Sequence, residues 1–367
     1  MSRVRNFCAG PCTLPSEVLA EVENELSDFE GSGMSLIEMS HRSPEYVAVH
    51  EDALERLRRV LEVPEDFEVL FLQGGGLLQF AMVPMNLVPA GATAGYVRSG
   101  AWGKAAHADA TRAASTYLAW DGLDSGFTRM PQQQEIEVRS DARYVHVTSN
   151  ETIEGLQLRE LPDLGVPLVV DVSSDLLTRS VEWERVDLVY GGVQKNLGPA
   201  GLAVVVIRRS ALDGCVSDLP SYLSFPSHAT ARSLLNTPPM FSVYVTGKML
   251  RWIEDRGGLQ GMAERAERRS GRIYDVIEAS GGFYTGPAEP QARSRTNVVF
   301  RLADPELDAR FLAETRAAGL VNLKGHRSVG GMRASIYNAC QRPAVEALVK
   351  FMKEFETANR GAATAAR

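Results

Sequence analysis

The segment Tyr190-Gly-Gly-Val-Gln-Lys195-Asn-Leu-Gly-Pro199 sets a lysine directly after an apolar strand, inside a turn of glycines and a proline. Most lysines are solvated surface groups, and that is the plain alternative here. An apolar strand end with a Gly-rich turn instead holds the ammonium near a pocket floor, where loss of water favours the neutral amine. A free amine forms a Schiff base with a carbonyl or with pyridoxal phosphate. Asp171 ends the run Leu168-Val-Val-Asp171. A carboxylate at the C-terminal end of a parallel strand faces the crevice where α/β folds bind ligands. Its bland reading is a cap for the Ser-Ser-Asp segment that follows. An enzyme of pyridoxal phosphate needs such an acid to keep the ring nitrogen protonated, so Asp171 and Lys195 on neighbouring strand ends would bracket one ring.

Other residues suit the same chemistry. Gln73-Gly74-Gly75-Gly76-Leu77 follows the strand Val69–Leu72 and precedes a helix. Glycines let the backbone approach a phosphate, and the helix start adds amide donors. The turn matches neither the dinucleotide nor the ATP-binding fingerprint. Trp102 sits at a strand-to-helix crossing, where an indole is either core or a stacking surface for a flat ring. Thr152 in Asn150-Glu151-Thr152 either caps a turn or reaches the ring. Asn236-Thr237-Pro238-Pro239 is a turn whose polar pair would donate to a phosphate. His41-Arg42, His326-Arg327 and Arg333 lie in polar or Gly-rich turns. Each arginine alone is usually a surface group. Together they predict a site for a substrate with two or more negative groups.

The elements that must position these residues alternate. Seven strands are expected at Glu68–Leu72, Thr93–Val97, Thr116–Ala119, Tyr144–Thr148, Leu168–Val172, Asp187–Tyr190 and Ala203–Ile207, with helices between them at Glu45–Leu61, Leu77–Leu87 and Gly103–Ala114. That pattern predicts an α/β fold with a mostly parallel sheet covered on both faces. A helical stretch from Phe241 to Ala279, broken at Gly257-Gly258, leads into a smaller α+β domain. Its strands are expected at Asn297–Leu302 and near Met332–Ile336, and its helices at Asp304–Ala318 and Pro343–Phe355. The expected division is an N-terminal segment 1–15, a large domain 16–255, a small domain 256–357 and a flexible tail 358–367.

Length and charge narrow the classes. With 367 residues, 44% of them hydrophobic and 23% charged, the chain can bury a large core without a metal or disulfide staple. A net charge of −7 disfavours nucleic acid, whose phosphates need a basic face. No run approaches the roughly 20 apolar residues of a membrane span, and Met1–Phe7 lacks the apolar stretch of a signal peptide. Four cysteines (Cys8, Cys12, Cys215 and Cys340) with no Cys-x-x-Cys pair fit free thiols in a cytoplasmic protein. No histidine or cysteine cluster has metal-ligand spacing, and no Gly-x-Ser-x-Gly elbow appears.

Taken in order, Asn6-Phe-Cys-Ala-Gly-Pro11, Glu38-Met-Ser-His-Arg42, Gln73-Gly-Gly-Gly76, Ala101-Trp102, Asn150-Glu-Thr152, Asp171-Val-Ser-Ser174, Gly192-Val-Gln-Lys-Asn-Leu-Gly-Pro-Ala-Gly201, Leu235-Asn-Thr-Pro-Pro239 and Lys324-Gly-His-Arg-Ser-Val-Gly-Gly-Met-Arg-Ala-Ser-Ile-Tyr-Asn338 resemble the phosphoserine aminotransferase family. The resemblance spans roughly residues 4 to 357. It implies a fold-type I, class V transferase of pyridoxal 5'-phosphate, with a seven-stranded sheet in its large domain, working as a homodimer with shared active sites. Lys195 would bind the cofactor covalently, Asp171 would pair with its ring nitrogen, and Trp102 would stack on the ring with Thr152 beside it. Gly76 and Leu77 amides, Ser173 and Gln194 would hold the cofactor, with Asn236 and Thr237 contributed by the partner subunit. Arg333 would grip the substrate α-carboxylate. His41 and Arg42 from the partner, with His326 and Arg327, would bind the distal phosphate or carboxylate. Some family members carry Arg at the position of Leu77 and Ser at that of Ala9.

The implied reaction moves an amino group from glutamate to 3-phosphohydroxypyruvate, giving O-phospho-L-serine and 2-oxoglutarate for serine synthesis; the family is also associated with a phosphorylated hydroxythreonine of pyridoxine synthesis. Two other readings of the same residues exist. One is an alanine–glyoxylate or serine–pyruvate type of class V enzyme, whose substrates lack the distal phosphate that the His-Arg pairs suit. The other is a cofactor-binding protein without turnover.

Overall fold

A computed structural model describes residues 3–363. Seven strands form the main sheet: β1 (Phe67–Gln73), β2 (Thr93–Arg98), β3 (Thr116–Asp121), β4 (Ala142–Thr148), β5 (Leu168–Asp171), β6 (Val186–Gly192) and β7 (Leu202–Arg208). Their spatial order is β1-β7-β6-β5-β4-β2-β3. Only β7 runs antiparallel, to both β1 and β6. Fold class and strand count agree with the sequence expectation, and each strand falls where its apolar run lies.

The strands are apolar on both sides because both sheet faces are covered. Val170, Val189 and Val204 join one core cluster with helix α2 (Pro44–Val60) and helix α5 (Met240–Glu254). Val169, Leu188 and Val205 point the other way, toward α3 (Gly75–Leu87) and α4 (Ala101–Ala113). Register then lines up the strand ends. Thr148 pairs with Asp171, and Asp171 with Tyr190, so β4, β5 and β6 finish side by side.

A second, smaller core contains Phe300, Phe311, Met332 and Phe355. It packs a three-stranded antiparallel sheet of β8 (Tyr284–Thr285), β9 (Asn297–Leu302) and β10 (Met332–Ser335) against α6 (Gly258–Ala279), α7 (Leu307–Ala317) and α8 (Arg342–Ala363). The sequence break at Gly257-Gly258 is the turn between α5 and α6, with Gly257 at φ 90°. Helix α6 nonetheless spans both lobes. Leu259 and Met262 pack with the large core, Ile273 and Val276 with the small one.

Two features were not legible in the sequence. Residues Arg5–Asn6 pair in parallel with Leu320–Val321, and Phe7 is fully buried in the small core. That burial contributes about 2–3 kcal/mol and stitches the N-terminal segment to the C-terminal lobe. Second, α8 continues to Ala363, eight residues beyond the expected end. Residues 358–363 are therefore helix, not a flexible tail; residues 364–367 lie outside the described part. Asn359 is buried and accepts from Arg310 Nη1 at 3.0 Å, and Arg360 pairs with Glu356. No described helix is long and apolar enough to cross a membrane.

Candidate active site

Lys195 lies in the turn after β6, where Leu197 and Gly198 amides both donate to the Val193 carbonyl and fold the segment tightly. Its Nζ donates to Thr152 Oγ1 at 3.3 Å and lies 5.1 Å from the centroid of the Trp102 ring. Desolvation lowers the lysine pKa, while the charges of Asp171 and Glu151 work against that shift. Asp171 at the end of β5 is buried, and desolvation pushes it upward against the attraction of Lys195 and a hydrogen bond from Ser173 N to Oδ1 at 2.8 Å. Each charge thus compensates the other's loss of water, but only in part. The residues singled out as a bracket around one ring do face the same crevice.

A glycine turn adjoins them. Gly74 (φ 86°) and Gly75 (φ 62°) take the left-handed backbone that turns β1 into α3. Glycine tolerates that backbone without steric cost. Gly76 is buried, and a Cβ there would lie 2.8 Å from Ser173 Oγ. Ser173 Oγ in turn accepts from Gly192 N at 3.0 Å. Backbone, hydroxyl and helix N-terminus converge at one point, which is the geometry an anion needs. The Leu77 side chain is 60% exposed and leaves only its backbone to that cradle. Gln194 Oε1 is buried beside Gly192 without a partner.

Glu151 and Glu154 are site residues that the sequence reading passed over. Glu151 accepts from Trp102 N at 2.9 Å, Gly103 N at 2.8 Å and Ser99 Oγ at 3.1 Å. Glu154 accepts from Ala101 N at 3.0 Å, and its Oε2 is buried without a partner. The first turn of α4 is thus capped by two buried carboxylates from another segment, where the helix dipole favours negative charge. Burial raises both pKa values, and the charge of Glu154 adds to the rise at Glu151. The sequence signal was two glutamates beside Thr152 on an otherwise apolar stretch (Ile153, Gly155, Leu156), but nothing local says that they reach α4.

The N-terminal segment covers Lys195. A Cβ on Gly10 would stand 3.5 Å from Lys195 Cγ, Cys12 N donates to the Gln194 carbonyl at 2.9 Å, and Tyr337 donates to the Ala9 carbonyl at 2.9 Å. Arg333, on β10, reaches the Thr152 carbonyl at 3.4 Å and so joins the small lobe to the site.

The remaining candidates form two separate groups. His41 Nδ1 lies 3.2 Å from Thr237 Oγ1, and the Thr237 carbonyl accepts from Gln73 Nε2 at 2.9 Å. His41 Nε2 is buried without a partner, whereas Arg42, Asn236 and Thr237 are exposed. Among the described residues, no hydrogen bond joins these four to Lys195, Asp171 or Thr152. His326 bonds Ser328 Oγ at 2.7 Å in the hairpin that leads into β10, with Arg327 exposed beside it. That hairpin meets Arg333 only through the backbone, by Arg333 N to the Leu323 carbonyl at 2.7 Å.

The donor set fits pyridoxal phosphate: an amine for the aldehyde, an acid for the ring nitrogen, an indole for the ring face and a glycine cradle for the phosphate. The family model of the class-V aminotransferases matches residues 4–348. The chain belongs to that family. A phosphoserine aminotransferase of Lysinibacillus sphaericus (strain C3-41) is 47% identical over 355 residues, which cover 96% of this chain and 98% of that one. The solved phosphoserine aminotransferase of Bacillus circulans subsp. alkalophilus superimposes with a TM-score of 0.95 at 45% identity, covering 97% of this chain and 99% of that one. The phosphoserine aminotransferase of Trichomonas vaginalis, solved with bound pyridoxal phosphate, gives 0.91 at 34% identity over 96% of this chain and all of the other. The resemblance carried by the motifs is borne out over residues 4–348 by the family model and over 96–97% of the chain by these relatives, and the alternative reading as an alanine–glyoxylate type is not favoured.

Proposed function

We propose that this class-V aminotransferase exchanges an amino group between glutamate and 3-phosphohydroxypyruvate, with O-phospho-L-serine and 2-oxoglutarate as the other pair, and that Lys195 is its catalytic amine. The observation that carries the proposal is the placement of Lys195 Nζ, 3.3 Å from Thr152 Oγ1, over Trp102, with a buried carboxylate on the adjoining strand. Pyridoxal 5'-phosphate, when bound, supplies an aldehyde for the amine and a ring that draws electrons from the substrate carbon. This chain supplies the rest. Lys195 Nζ takes and returns the proton at the substrate Cα; its desolvation keeps part of the amine neutral and able to act as a base. Asp171 holds the proton at the ring nitrogen. Trp102 covers one ring face and keeps water from it. Thr152 Oγ1 orients the lysine. Gly76 and Leu77 amides, Ser173 and Gln194 receive the cofactor phosphate.

Arg333 is the substrate carboxylate anchor. Its planar fork suits the α-carboxylate shared by both amino-acid substrates. His41, Arg42, His326 and Arg327 take the distal anion. The His41–Thr237 pair, with Thr237, Asn236 and Arg42 exposed around the buried His41, supports a homodimer in which this face completes the partner's site. In the tautomer that carries its proton at Nε2, the buried, unpartnered His41 would donate to such an anion. Four free cysteines support a cytoplasmic enzyme. The phosphorylated hydroxythreonine substrate of pyridoxine synthesis shares the distal phosphate and α-carboxylate, so the same groups serve it.

The test is the cofactor spectrum of the purified holoenzyme mixed separately with phosphoserine and alanine. Conversion by phosphoserine at concentrations where alanine does nothing supports the assignment. Conversion by alanine alone returns the chain to the alanine–glyoxylate type, and no conversion by any amino donor leaves a binding protein without turnover.

A further inference from the structure

We propose that the cleft between α5, α6 and the start of α8 is a second anion site, built for a small molecule with two or more phosphate or carboxylate groups. The cleft encloses about 590 Å³ at the joint between the two lobes, far enough from Lys195 that the two share no lining residue. Arg256, Arg265, Arg268, Arg269, Arg272 and Arg342 line it, against two carboxylates, Glu17 and Glu346. A volume in this range is that of a small-molecule site rather than a macromolecular groove.

The charge is not balanced locally. Arg256 pairs with Glu17, Arg268 with Glu264 and Arg342 with Glu346. Arg265 and Arg272 have no acidic partner among the described residues. Arg269 is buried, with 6% of its surface exposed. Its Nη1 is spent on the carbonyls of Tyr337, Asn338 and Cys340, and its Nη2 has no hydrogen-bond partner. A buried guanidinium is costly unless nearby negative charge offsets it. Arg269 is buried, Arg265 half-buried and Arg272 exposed, and three such neighbouring cations repel one another with no anion between them. Burial and the neighbouring arginines both lower the pKa values of Arg265 and Arg269, which marks the same unmet repulsion. The Gln341-Arg342-Pro343 end of α8 adds the positive end of a long helix.

The floor of this cleft is tied to the catalytic turn. Asn338 N donates to Asn196 Oδ1 at 3.2 Å, and Asn196 follows Lys195 directly. A ligand here would brace the α5–α6 joint and the turn after β10 that carries this link.

The experiment titrates inorganic diphosphate into Arg42→Ala/Arg327→Ala holoenzyme, whose active site has lost its arginines for the distal anion, and reads binding by calorimetry. One diphosphate per chain is expected, as in the unaltered holoenzyme at this second site. The Arg265→Ala/Arg272→Ala variant should weaken it about tenfold or more, as loss of two charge-assisted contacts implies. Arg272 is exposed, so Arg272→Glu preserves the fold and should by itself also weaken binding, while Arg42→Ala should leave it unchanged. No binding to the Arg42→Ala/Arg327→Ala holoenzyme, or equal affinity in Arg272→Glu and the unaltered protein, overturns the proposal.

Discussion

Glu151 Oε2 accepts the backbone N–H of Trp102 at 2.9 Å, so a buried carboxylate fixes the residue on which the cofactor ring would lie. The same side chain satisfies Gly103 N and Ser99 Oγ. Glu151→Ala would leave three donors without an acceptor in the interior. It is expected to cost about 3 kcal/mol or more of unfolding free energy. Urea unfolding measures it, and a cost below about 1 kcal/mol would show that water replaces the carboxylate. Glu151→Gln keeps one acceptor oxygen and should lose less.

The pair of Glu151 with Glu154 makes stability depend on pH. Both folded pKa values are raised above the ordinary 4.5, so the folded chain holds protons that the unfolded chain releases. Stability from this source is complete below that value and is lost as pH rises through the folded pKa. Glu154→Gln removes the like charge, so its melting temperature relative to the unaltered protein should climb from about pH 5 to about pH 8. A pH-independent difference would mean that the two carboxylates do not interact.

Gly76 tests the cradle. Its added Cβ would stand 2.8 Å from Ser173 Oγ and 3.4 Å from Gly192 N. Gly76→Ala should displace the serine and weaken cofactor retention by about tenfold, a change of roughly 1.4 kcal/mol. Fluorescence titration of the stripped enzyme with pyridoxal phosphate reads it. Unchanged affinity would remove this turn from the phosphate site.

How much of this was readable beforehand depends on range. Strand-local features came through: Asp171 and Lys195 were placed at strand ends because the apolar runs before them are unbroken, and Gly74-Gly75-Gly76 was a turn because two of its glycines need a backbone that other residues avoid. The long-range links did not. Glu151 serves a helix start some 50 positions earlier, Phe7 is buried among residues near the other terminus, and Asn359 is held by Arg310. None of these pairings leaves a periodic trace. The small, polar composition of residues 358–363 looked like a frayed end because Ala and Gly mark both loose tails and helices that rest on a neighbour. Arg265, Arg269 and Arg272 lie on successive turns of α6, and only the fold brings the start of α8 beside them.

Subunit exchange tests Arg42 and the His41–Thr237 group beside it. If Arg42 of one subunit serves the partner's site, mixing inactive Lys195→Ala with inactive Arg42→Ala and letting subunits exchange should restore about a quarter of full activity. No recovery after demonstrated exchange would place Arg42 in its own subunit's site.

The central claim is that the Lys195 amine both carries the cofactor and moves the proton. The most direct measurement is the visible absorbance and phosphoserine-dependent turnover of Lys195→Ala beside the unaltered enzyme. The variant is expected to lose the absorbance of the lysine–cofactor bond and at least about 10²-fold of its activity, the usual contribution of a positioned acid–base group. An intact band with intact turnover would show that another amine does this work.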